Sequence, residues 1–243
     1  MAKTLVVKLA GTVNNDELPY FNAACFSMST TGTGAQRCIK ILPATGNVKL
    51  LISGGNSAAH FTDSGGTQNL GKEITLTALT ENSVYVSVHE AEINILNKTG
   101  VRGLWFGRGD NITMDLIQLK NCFQLTVLDC TSLRHVSGDI KYLAGCPDLR
   151  VACFGLDTNV TGNISALSGL TSLTDLHLFT TGVEGNLSSL AGLTNLSSLA
   201  LQWTRVTGDT SSIAHLHPNN GGKLASFVYE GTGITGSWPP ATE

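Results

Sequence analysis

The feature that most constrains the fold is a repeat in the second half of the chain. GNISALSGLTSLTDLHLFTTGVE is followed directly by GNLSSLAGLTNLSSLALQWTRVT. The copies begin at Gly162, Gly185 and Gly208, so both steps are 23 residues (185 − 162 and 208 − 185). Units on the same template precede them, at 138–161 with one extra residue, and follow from 208 with a five-residue expansion. A fixed period of this length predicts a stacked array, because one unit cannot bury its own apolar side chains.

Two periodicities inside each unit predict its local structure. The triplet Leu176-His177-Leu178 has the two-residue period of a strand whose leucines share one face. The preceding I-x-x-L-x-x-L-x-x-L run has a three-residue step, which is closer to a 3₁₀ helix or an irregular turn than to a long α-helix. The glycine before each unit permits a corner that a side chain would obstruct. Stacked units would pair their strands in parallel, about 4.8 Å apart, and bury one column of leucines.

The unit G-[N/D]-I-x-x-L-x-G-L-x-x-L-x-x-L-x-L-x-x-T-x-V resembles the leucine-rich repeat family, in the class with a G-x-I element that is familiar from plant receptor ectodomains. The resemblance covers about residues 91–236 and is strong in 138–207. It implies a mainly β solenoid with parallel strands and short 3₁₀ or irregular turns on the convex side. The family usually has a buried asparagine ladder after L-x-L; Thr181 and Thr204 occupy a nearby slot here, so we expect a shorter hydroxyl ladder.

The pattern divides the chain into three parts. Residues 1–90 contain runs such as TLVVKLAG, NVKLLISGG and SVYVSVHEA between polar turn residues, which predict a small antiparallel β-rich domain that docks or caps the array. Residues 91–236 form the predicted solenoid. Residues 237–243, which begin with SWPP, form a predicted C-terminal tail or cap, because terminal units would otherwise expose their leucines.

The charge content argues against several classes of partner. Charged residues are 14% of the chain, against about 25% in an ordinary soluble domain, and the net charge is −3. The sequence has no basic tract, so we expect no nucleic-acid partner. It has no apolar stretch approaching about 18 residues, so we expect no membrane insertion. The first residues lack the pattern of a signal peptide, which predicts synthesis in a cytoplasm.

The sequence lacks several common motifs for catalysis and metal binding. The chain has no G-x-S-x-G, no G-x-x-x-x-G-K-[ST] and no H-E-x-x-H. His215 and His217 lack an evident third ligand for a metal. Cys122 and Cys146 occupy the same slot of successive units, where we expect them to pack as small apolar groups; whether they ever pair is left open. We therefore predict a non-enzymatic protein with no catalytic residues, no cofactor and no metal site.

Side chains that flank each L-x-L pair are expected to face outward on the strand side. They form the rows Val127, Asp129, Thr131; Val151, Cys153, Gly155; Asp175, His177, Phe179; Ser198, Ala200, Gln202; and Ser226, Val228, Glu230. Aromatic side chains beside polar groups are typical of recognition hot spots. We predict a partner-binding site that consists of Asp175, His177, Phe179, Gln202, Trp203, Val228 and Glu230.

Two non-catalytic functions are compatible with such a surface. An uncharged Ser/Thr/Asn/Gly exterior without a secretion signal favours a component of a bacteriophage particle or comparable assembly, docked through residues 1–90 with the repeats outward. The alternative is an intracellular protein-interaction scaffold. The expected partner is a protein, either in a virion or bound to the scaffold, or a surface glycan, and residues 1–90 are a candidate site for homo-oligomer formation. An enzyme that works through residues 1–90 is a third alternative.

Overall fold

The computed structural model describes the backbone of residues 5–9, 37–43, 48–53, 60–63, 66–69, 73–76, 82–86, 91–95, 101–106, 112–131, 135–155 and 159–239. Over these residues the chain is mainly β, with two ten-stranded sheets and short 3₁₀ helices. The strands before residue 100 are β1 Leu5–Leu9, β2 Arg37–Pro43, β3 Val48–Ser53, β4 His60–Asp63, β5 Gly66–Asn69, β6 Glu73–Leu76, β7 Asn82–Val86 and β8 Ala91–Ile95.

After residue 100, each coil of the chain gives one strand to each sheet. The front sheet receives the L-x-L strands: β9 Val101–Phe106, β11 Val127–Cys130, β13 Val151–Gly155, β15 Asp175–Phe179, β17 Ser198–Ala200 and β19 Ser226–Val228. The back sheet receives β10 Ile112–Asp115, β12 His135–Asp139, β14 Val160–Asn163, β16 Gly182–Asn186, β18 Arg205–Asp209 and β20 Gly233–Thr235. Within each series the neighbouring strands pair in parallel, which confirms the predicted solenoid.

Short 3₁₀ helices follow the strands of the back sheet, as the three-residue step predicts. They are η1 Leu116–Leu119, η2 Ile140–Gly145, η3 Ile164–Leu167, η4 Leu187–Leu190 and η5 Thr210–Leu216, with η6 Pro218–Asn220 after them. Beyond η3 the three-residue step continues as turns, because Leu170 N–H donates to the Leu167 carbonyl at 2.9 Å and Leu173 N–H donates to the Leu170 carbonyl at 2.9 Å. Each leucine of the run therefore points to the same side, into the column between the sheets.

The predicted apolar positions form one continuous core. In the coil that contains β15, the side chains of Leu173, Leu176, Leu178 and Val183 are all 0% exposed. The equivalent leucines of the coils before and after it are buried in the same cluster. Burial of a leucine contributes about 1.5–3 kcal/mol relative to leaving it exposed, so the column supplies the main driving force for stacking.

The back sheet was not predicted from the sequence. Its strands carry one buried apolar residue each in the central coils, Val160, Val183 and Val206, and continue into the Gly-Asx step of the repeat. A two-residue apolar alternation is therefore missing, and glycine weakens any strand prediction further. These strands form because stacking brings equivalent backbones side by side, a tertiary effect that a single unit does not encode.

The Gly-Asx step of the repeat has a steric cause. Gly185 has a φ of 121°, and a Cβ built on it would lie 2.5 Å from Asn163 Oδ1 in the preceding coil. That same Asn163 oxygen accepts a hydrogen bond from Ser165 N–H at 2.9 Å and so caps η3. The arrangement recurs at Gly138, Gly162 and Gly208, which also have positive φ and face Asp115, Asp139 and Asn186 of the coil before. Glycine is needed because each corner lies directly against the cap of its neighbour.

The threonines after L-x-L support their own coil. Thr181 Oγ1 donates to the Leu178 carbonyl at 2.6 Å, and Thr204 Oγ1 donates to the Leu201 carbonyl at 2.6 Å. The hydroxyl groups recur once per coil, as expected for a ladder. Each of these two bonds closes a turn within one coil, however, and does not join one coil to the next.

The strands before residue 100 extend both sheets. β1 pairs antiparallel with β10, and β2 pairs antiparallel with β9. The three runs quoted for residues 1–90 overlap the strands β1, β3 and β7, respectively. Parallel pairing begins at β9, ten residues after the expected start at 91, since β8 pairs antiparallel with β1 and β3. The domain boundary at residue 90 remains a prediction.

Aromatic side chains lie over the last coil. Trp238 makes edge-to-face contacts with Phe227 and His217, with ring centroids 5.3 and 5.0 Å apart, and Tyr229 stacks on Phe227 at 4.7 Å. Residues 240–243 lie outside the described residues, so the role of 237–243 as a cap stays a prediction. In the described part of the chain, no helix has the length and apolar content needed to cross a bilayer.

Cys122 and Cys146 pack in the core, where they are 1% and 0% exposed. Cys146 Sγ lies 3.8 Å from the Leu119 carbonyl of the preceding coil, and Cys122 Sγ lies 4.0 Å from the Gln118 carbonyl. Both fill the slot that leucine fills in later coils, as the repeat alignment predicts.

We expect Gly185→Ala to lower the free energy of unfolding by about 1–3 kcal/mol, because a left-handed corner and the Asn163 contact both oppose a Cβ. Gly169→Ala is the matched control, since a Cβ there meets no atom within 4 Å, and we expect a change within about 0.5 kcal/mol. Urea unfolding of both variants measures the difference. Equal losses in the two variants would contradict the steric account of the corner.

Candidate interaction surface

The outward rows predicted from the sequence are in register across the front sheet. Asp129 lies opposite Cys153, Cys153 opposite His177, His177 opposite Ala200, and Ala200 opposite Val228. We call these five residues the middle row. Side chains separated by 23 to 28 residues in the sequence are thus direct neighbours, at the roughly 4.8 Å spacing of paired strands.

Phe179 ends β15 and is half-buried. A Cβ added to Gly155 would lie 2.5 and 2.8 Å from two carbons of the Phe179 ring, so the ring lies directly over this glycine of the preceding coil. Gly155 is buried as a result. Phe179 therefore uses part of its surface to cover the backbone of its own protein, and only the remainder is available to a partner.

Trp203 is the most exposed of the large apolar side chains in the described residues, at 59%. It occupies the corner after β17 with a left-handed φ of 61°, as Thr180 does one coil earlier with a φ of 57°. A Cβ added to Gly231 would meet the Trp203 ring, with Cδ2 at 2.8 Å, so the indole leans over the following coil. The Phe179 and Trp203 rings therefore lean in opposite directions along the stack. A left-handed conformation costs about 1–2 kcal/mol in a residue with a side chain, so Trp203 is a strained corner with an exposed ring.

The remaining predicted residues complete the C-terminal half of the surface. Val228 is 42% exposed, Glu230 is exposed and Gln202 is half-buried. Trp203 N–H donates to the Glu230 carbonyl at 2.8 Å, which brings these two residues together. The Gln202 Oε1 atom is buried without a hydrogen-bond partner, at a cost of about 1–3 kcal/mol.

Asp175 and His177 occupy the centre of the surface and are held by hydrogen bonds. Thr174 Oγ1 donates to Asp175 Oδ2 at 2.7 Å. His177 Nε2 lies 2.8 Å from Ser198 Oγ, and His177 Nδ1 lies 3.6 Å from Cys153 Sγ. Desolvation lowers the pKa of His177 below its ordinary value, against the opposing charges of Asp175 and Asp129. The lowered pKa favours the uncharged imidazole at pH 7.

The charge of the outward rows is one-sided. The fifteen positions of the five rows include Asp129, Asp175 and Glu230 and contain no lysine or arginine. Among the described residues no group of three or more His, Cys, Asp and Glu side chains is placed to hold a metal ion. Asp129 is only 6% exposed, so the acidic charge that the surface offers comes from Asp175 and Glu230, beside apolar groups at Trp203 and Val228.

Two residues of this surface were not predicted as site residues. Cys153 and Ser198 were placed in the outward rows, but neither was given a role. The sequence contains a usable signal, since the repeat alignment puts Cys153 and His177 at equivalent positions of successive units. Ser198 lies opposite Asp175, so its contact with His177 Nε2 runs diagonally between two rows. This contact depends on the rotamer of the imidazole, and a sequence alignment does not predict rotamers.

Comparison with known proteins gives similarities in structure only. No protein-family model and no curated protein matches the sequence. Solved structures with similarity include an internalin, InlF, from Listeria monocytogenes (19% identity over 51% of this chain, TM-score 0.39), and the leucine-rich repeat ectodomain of the receptor kinase SOBIR1 from Arabidopsis thaliana (21% over 53%, TM-score 0.41). The ectodomain of GASSHO1/SCHENGEN3 from Arabidopsis thaliana is similar at 20% identity over 55%, with a TM-score of 0.43. The matches span 34%, 72% and 16% of those chains, respectively.

The fold class follows from the geometry of the chain itself. Each coil has an L-x-L strand in a parallel sheet, a Gly-Asx corner, a 3₁₀ helix and a shared column of leucines. These are the parts that the repeat predicted, and the chain has the leucine-rich repeat fold.

The register of β15 can be tested with two substitutions on the same strand. Leu176→Asp puts an unpaired charge into the column, and we expect it to abolish the cooperative unfolding transition. Phe179→Asp places its charge at the half-buried edge of the front sheet, and we expect the protein to stay folded with reduced stability. Circular dichroism and urea unfolding measure both. If the two variants unfold equally, Phe179 is a core residue and the predicted rows are displaced.

Proposed function

We propose that this protein is a non-catalytic leucine-rich repeat scaffold that binds a protein partner across the C-terminal half of its front sheet. The observation that carries the proposal is the Trp203 indole, which is 59% exposed at the left-handed corner that leads from β17 of the front sheet to β18 of the back sheet. Exposed aromatic side chains on a fixed frame provide contact area with little loss of conformational entropy on binding.

The chemistry of the surface indicates the kind of partner. Trp203 and Val228 offer apolar contact, and Glu230 lies beside them with its backbone bonded to that of Trp203. No lysine or arginine occupies the rows. A protein segment with an apolar side chain next to a basic one would complement this arrangement, since opposite charges at the rim increase the association rate and specificity.

Asp175, His177, Phe179 and Gln202 complete the proposed site. Phe179 and Gln202 are half-buried, and His177 is hydrogen-bonded to Ser198 within the sheet. We therefore propose that these residues shape the surface and that they contribute less than the anchors to direct contact with the partner. Trp203, Val228 and Glu230 are the proposed anchors. A surface glycan is the competing ligand, because aromatic and carboxylate groups also suit carbohydrate binding.

The role in a bacteriophage particle remains a prediction from composition. It requires residues 1–90 as a dock. The scaffold proposal needs only the front sheet.

The binding proposal can be tested by comparing matched variants against extract of the source cells. The immobilised full chain, Trp203→Ala and Phe123→Ala would be incubated with the same extract, and the retained proteins quantified by mass spectrometry. Phe123 is 53% exposed and lies in the η1–β11 loop, outside the front sheet, so it controls for loss of any exposed aromatic group. We expect a specific protein to be retained by the wild type and by Phe123→Ala and to fall about tenfold or more with Trp203→Ala, as for loss of a hot spot.

A protein that Phe123→Ala releases as readily as Trp203→Ala would contradict the proposed surface. Retention that is unaffected by protein digestion of the extract but lost after glycosidase treatment would assign the surface to a glycan instead. In either case the leucine-rich repeat fold is not at issue, because both variants change exposed side chains.

A further inference from the structure

We propose that Cys153 is a modification site of this protein: its thiol, activated by the His177 imidazole, forms a mixed disulfide with low-molecular-weight disulfides. The proposal rests on the geometry of the middle row and does not depend on the identity of any protein partner. It concerns β13 and β15, which belong to the two coils before that of the proposed anchor Trp203.

The first support is the contact between the two side chains. Cys153 Sγ lies 3.6 Å from His177 Nδ1, a hydrogen-bond distance for sulfur. The far nitrogen, His177 Nε2, lies 2.8 Å from Ser198 Oγ. An uncharged imidazole that carries its proton on Nε2 would donate it to Ser198 Oγ and would present the Nδ1 lone pair to the thiol. The imidazole is thus held between its neighbours on β13 and β17, with one nitrogen directed at sulfur.

The second support is position. Cys153 faces outward in the middle row and keeps 6% of its surface exposed, whereas Cys122, Cys130 and Cys146 face the leucine column and keep 0 to 1%. A histidine nitrogen lies beside the Cys153 sulfur. Ala200, the residue opposite His177 on the next strand, has a small side chain, whereas the space over Gly155 is filled by the Phe179 ring.

The third support is the charge environment of the pair. The carboxylates of Asp129, on β11, and Asp175, on β15, both raise the pKa of His177, while its burial lowers the pKa more strongly. The net lowering leaves the imidazole free of its second proton at neutral pH, so it can accept one. Once it has accepted the thiol proton, the same two carboxylates stabilise the imidazolium.

The reaction is a balanced exchange. His177 Nδ1 takes the Cys153 proton, and the thiolate attacks one sulfur of the disulfide R–S–S–R. A Cys153–S–S–R bond forms as the S–S bond of the reagent breaks, and the departing thiolate takes the proton from His177 to leave as R–SH. The protein thiol is oxidised, one sulfur of the reagent is reduced, and the imidazole returns to its neutral form.

The experiment uses the folded full chain and 5,5′-dithiobis(2-nitrobenzoic acid) as the disulfide. Peptide mass spectrometry at timed intervals assigns each adduct, so that cysteines outside the described residues are counted separately. At pH 7 we expect Cys153 to react first among Cys122, Cys130, Cys146 and Cys153. We expect His177→Gln to slow the Cys153 reaction about tenfold or more, as for loss of a general base.

The pH profile distinguishes activation from simple burial. With His177 as the base, the rate at Cys153 is expected to be nearly flat from about pH 6.5 to 8. In His177→Gln it is expected to rise about tenfold per pH unit toward the ordinary thiol pKa of about 8.5. Ser198→Ala, which removes the Nε2 partner and keeps the pair, is expected to lower the rate by a smaller factor.

Three results would overturn the proposal. They are a Cys153 rate no greater than that of Cys146, an unchanged rate in His177→Gln, or equal pH slopes in the wild type and the variant. If His177→Gln failed to fold, its core cysteines would be exposed and all of them would react faster. Ser198→Ala would then be the deciding variant, and a rate profile identical to that of the wild type would count against activation by the imidazole. Loss of partner binding through Trp203 is measured separately, so failure of one proposal leaves the other standing.

Discussion

The structure depends on one constraint: the leucines of a single coil have nowhere to be buried except against the leucines of the next. A single coil of 23 residues leaves the backbone groups at its two edges unpaired and its apolar side chains exposed to water, so it is not stable alone. Stacking satisfies both at once, because the parallel ladders of the two sheets pair the backbones while the column of Leu176 and its equivalents is buried. The close approach of coils then dictates the corner glycines. Gly185 leaves room for the Asn163 cap of its neighbour, and any residue with a Cβ would have to displace it.

The same stacking converts the sequence into a surface by a simple rule. Residues one repeat apart become neighbours, so a single unusual residue in one unit meets a single unusual residue in the next. Cys153 and His177 meet in this way, although 24 residues separate them. Trp203 stands beside Gly231 and occupies the corner that Thr180 fills one coil earlier. A binding or reactive site in such a fold does not require a pocket. Residues that differ from the repeat consensus in adjacent coils are held side by side on the sheet, and together they can form the site.

The sequence predicted the parts of the fold that depend on local pattern. The L-x-L strands, the 3₁₀ turns and the buried positions follow from periodicity, and the repeat alignment placed the middle row in the correct register. The back sheet was missed because its strands, such as Gly182–Asn186, carry one buried apolar side chain and two glycines and form only through pairing between coils. The threonine positions were predicted, but their hydrogen-bond partners were not: Thr181 and Thr204 each bond a carbonyl of their own coil. Side-chain detail was also out of reach: the register predicted that Phe179 faces outward, but not that its ring lies over Gly155.

The polar residues at the centre of the front sheet require an explanation that packing alone does not provide. Equivalent positions in other coils are filled by small or aliphatic groups such as Ala200 and Val228, which the fold evidently accepts. Placing His177 there costs desolvation, as its lowered pKa records, and holding Trp203 in a left-handed corner costs conformational energy. Neither residue contributes to the leucine column that stabilises the stack. The left-handed corner recurs at Thr180, so its strain belongs to the repeat, whereas the exposed indole of Trp203 and the desolvated imidazole of His177 are particular to these two positions. These two side chains are the physical reason to look for both the protein partner and the reactive thiol on the front sheet.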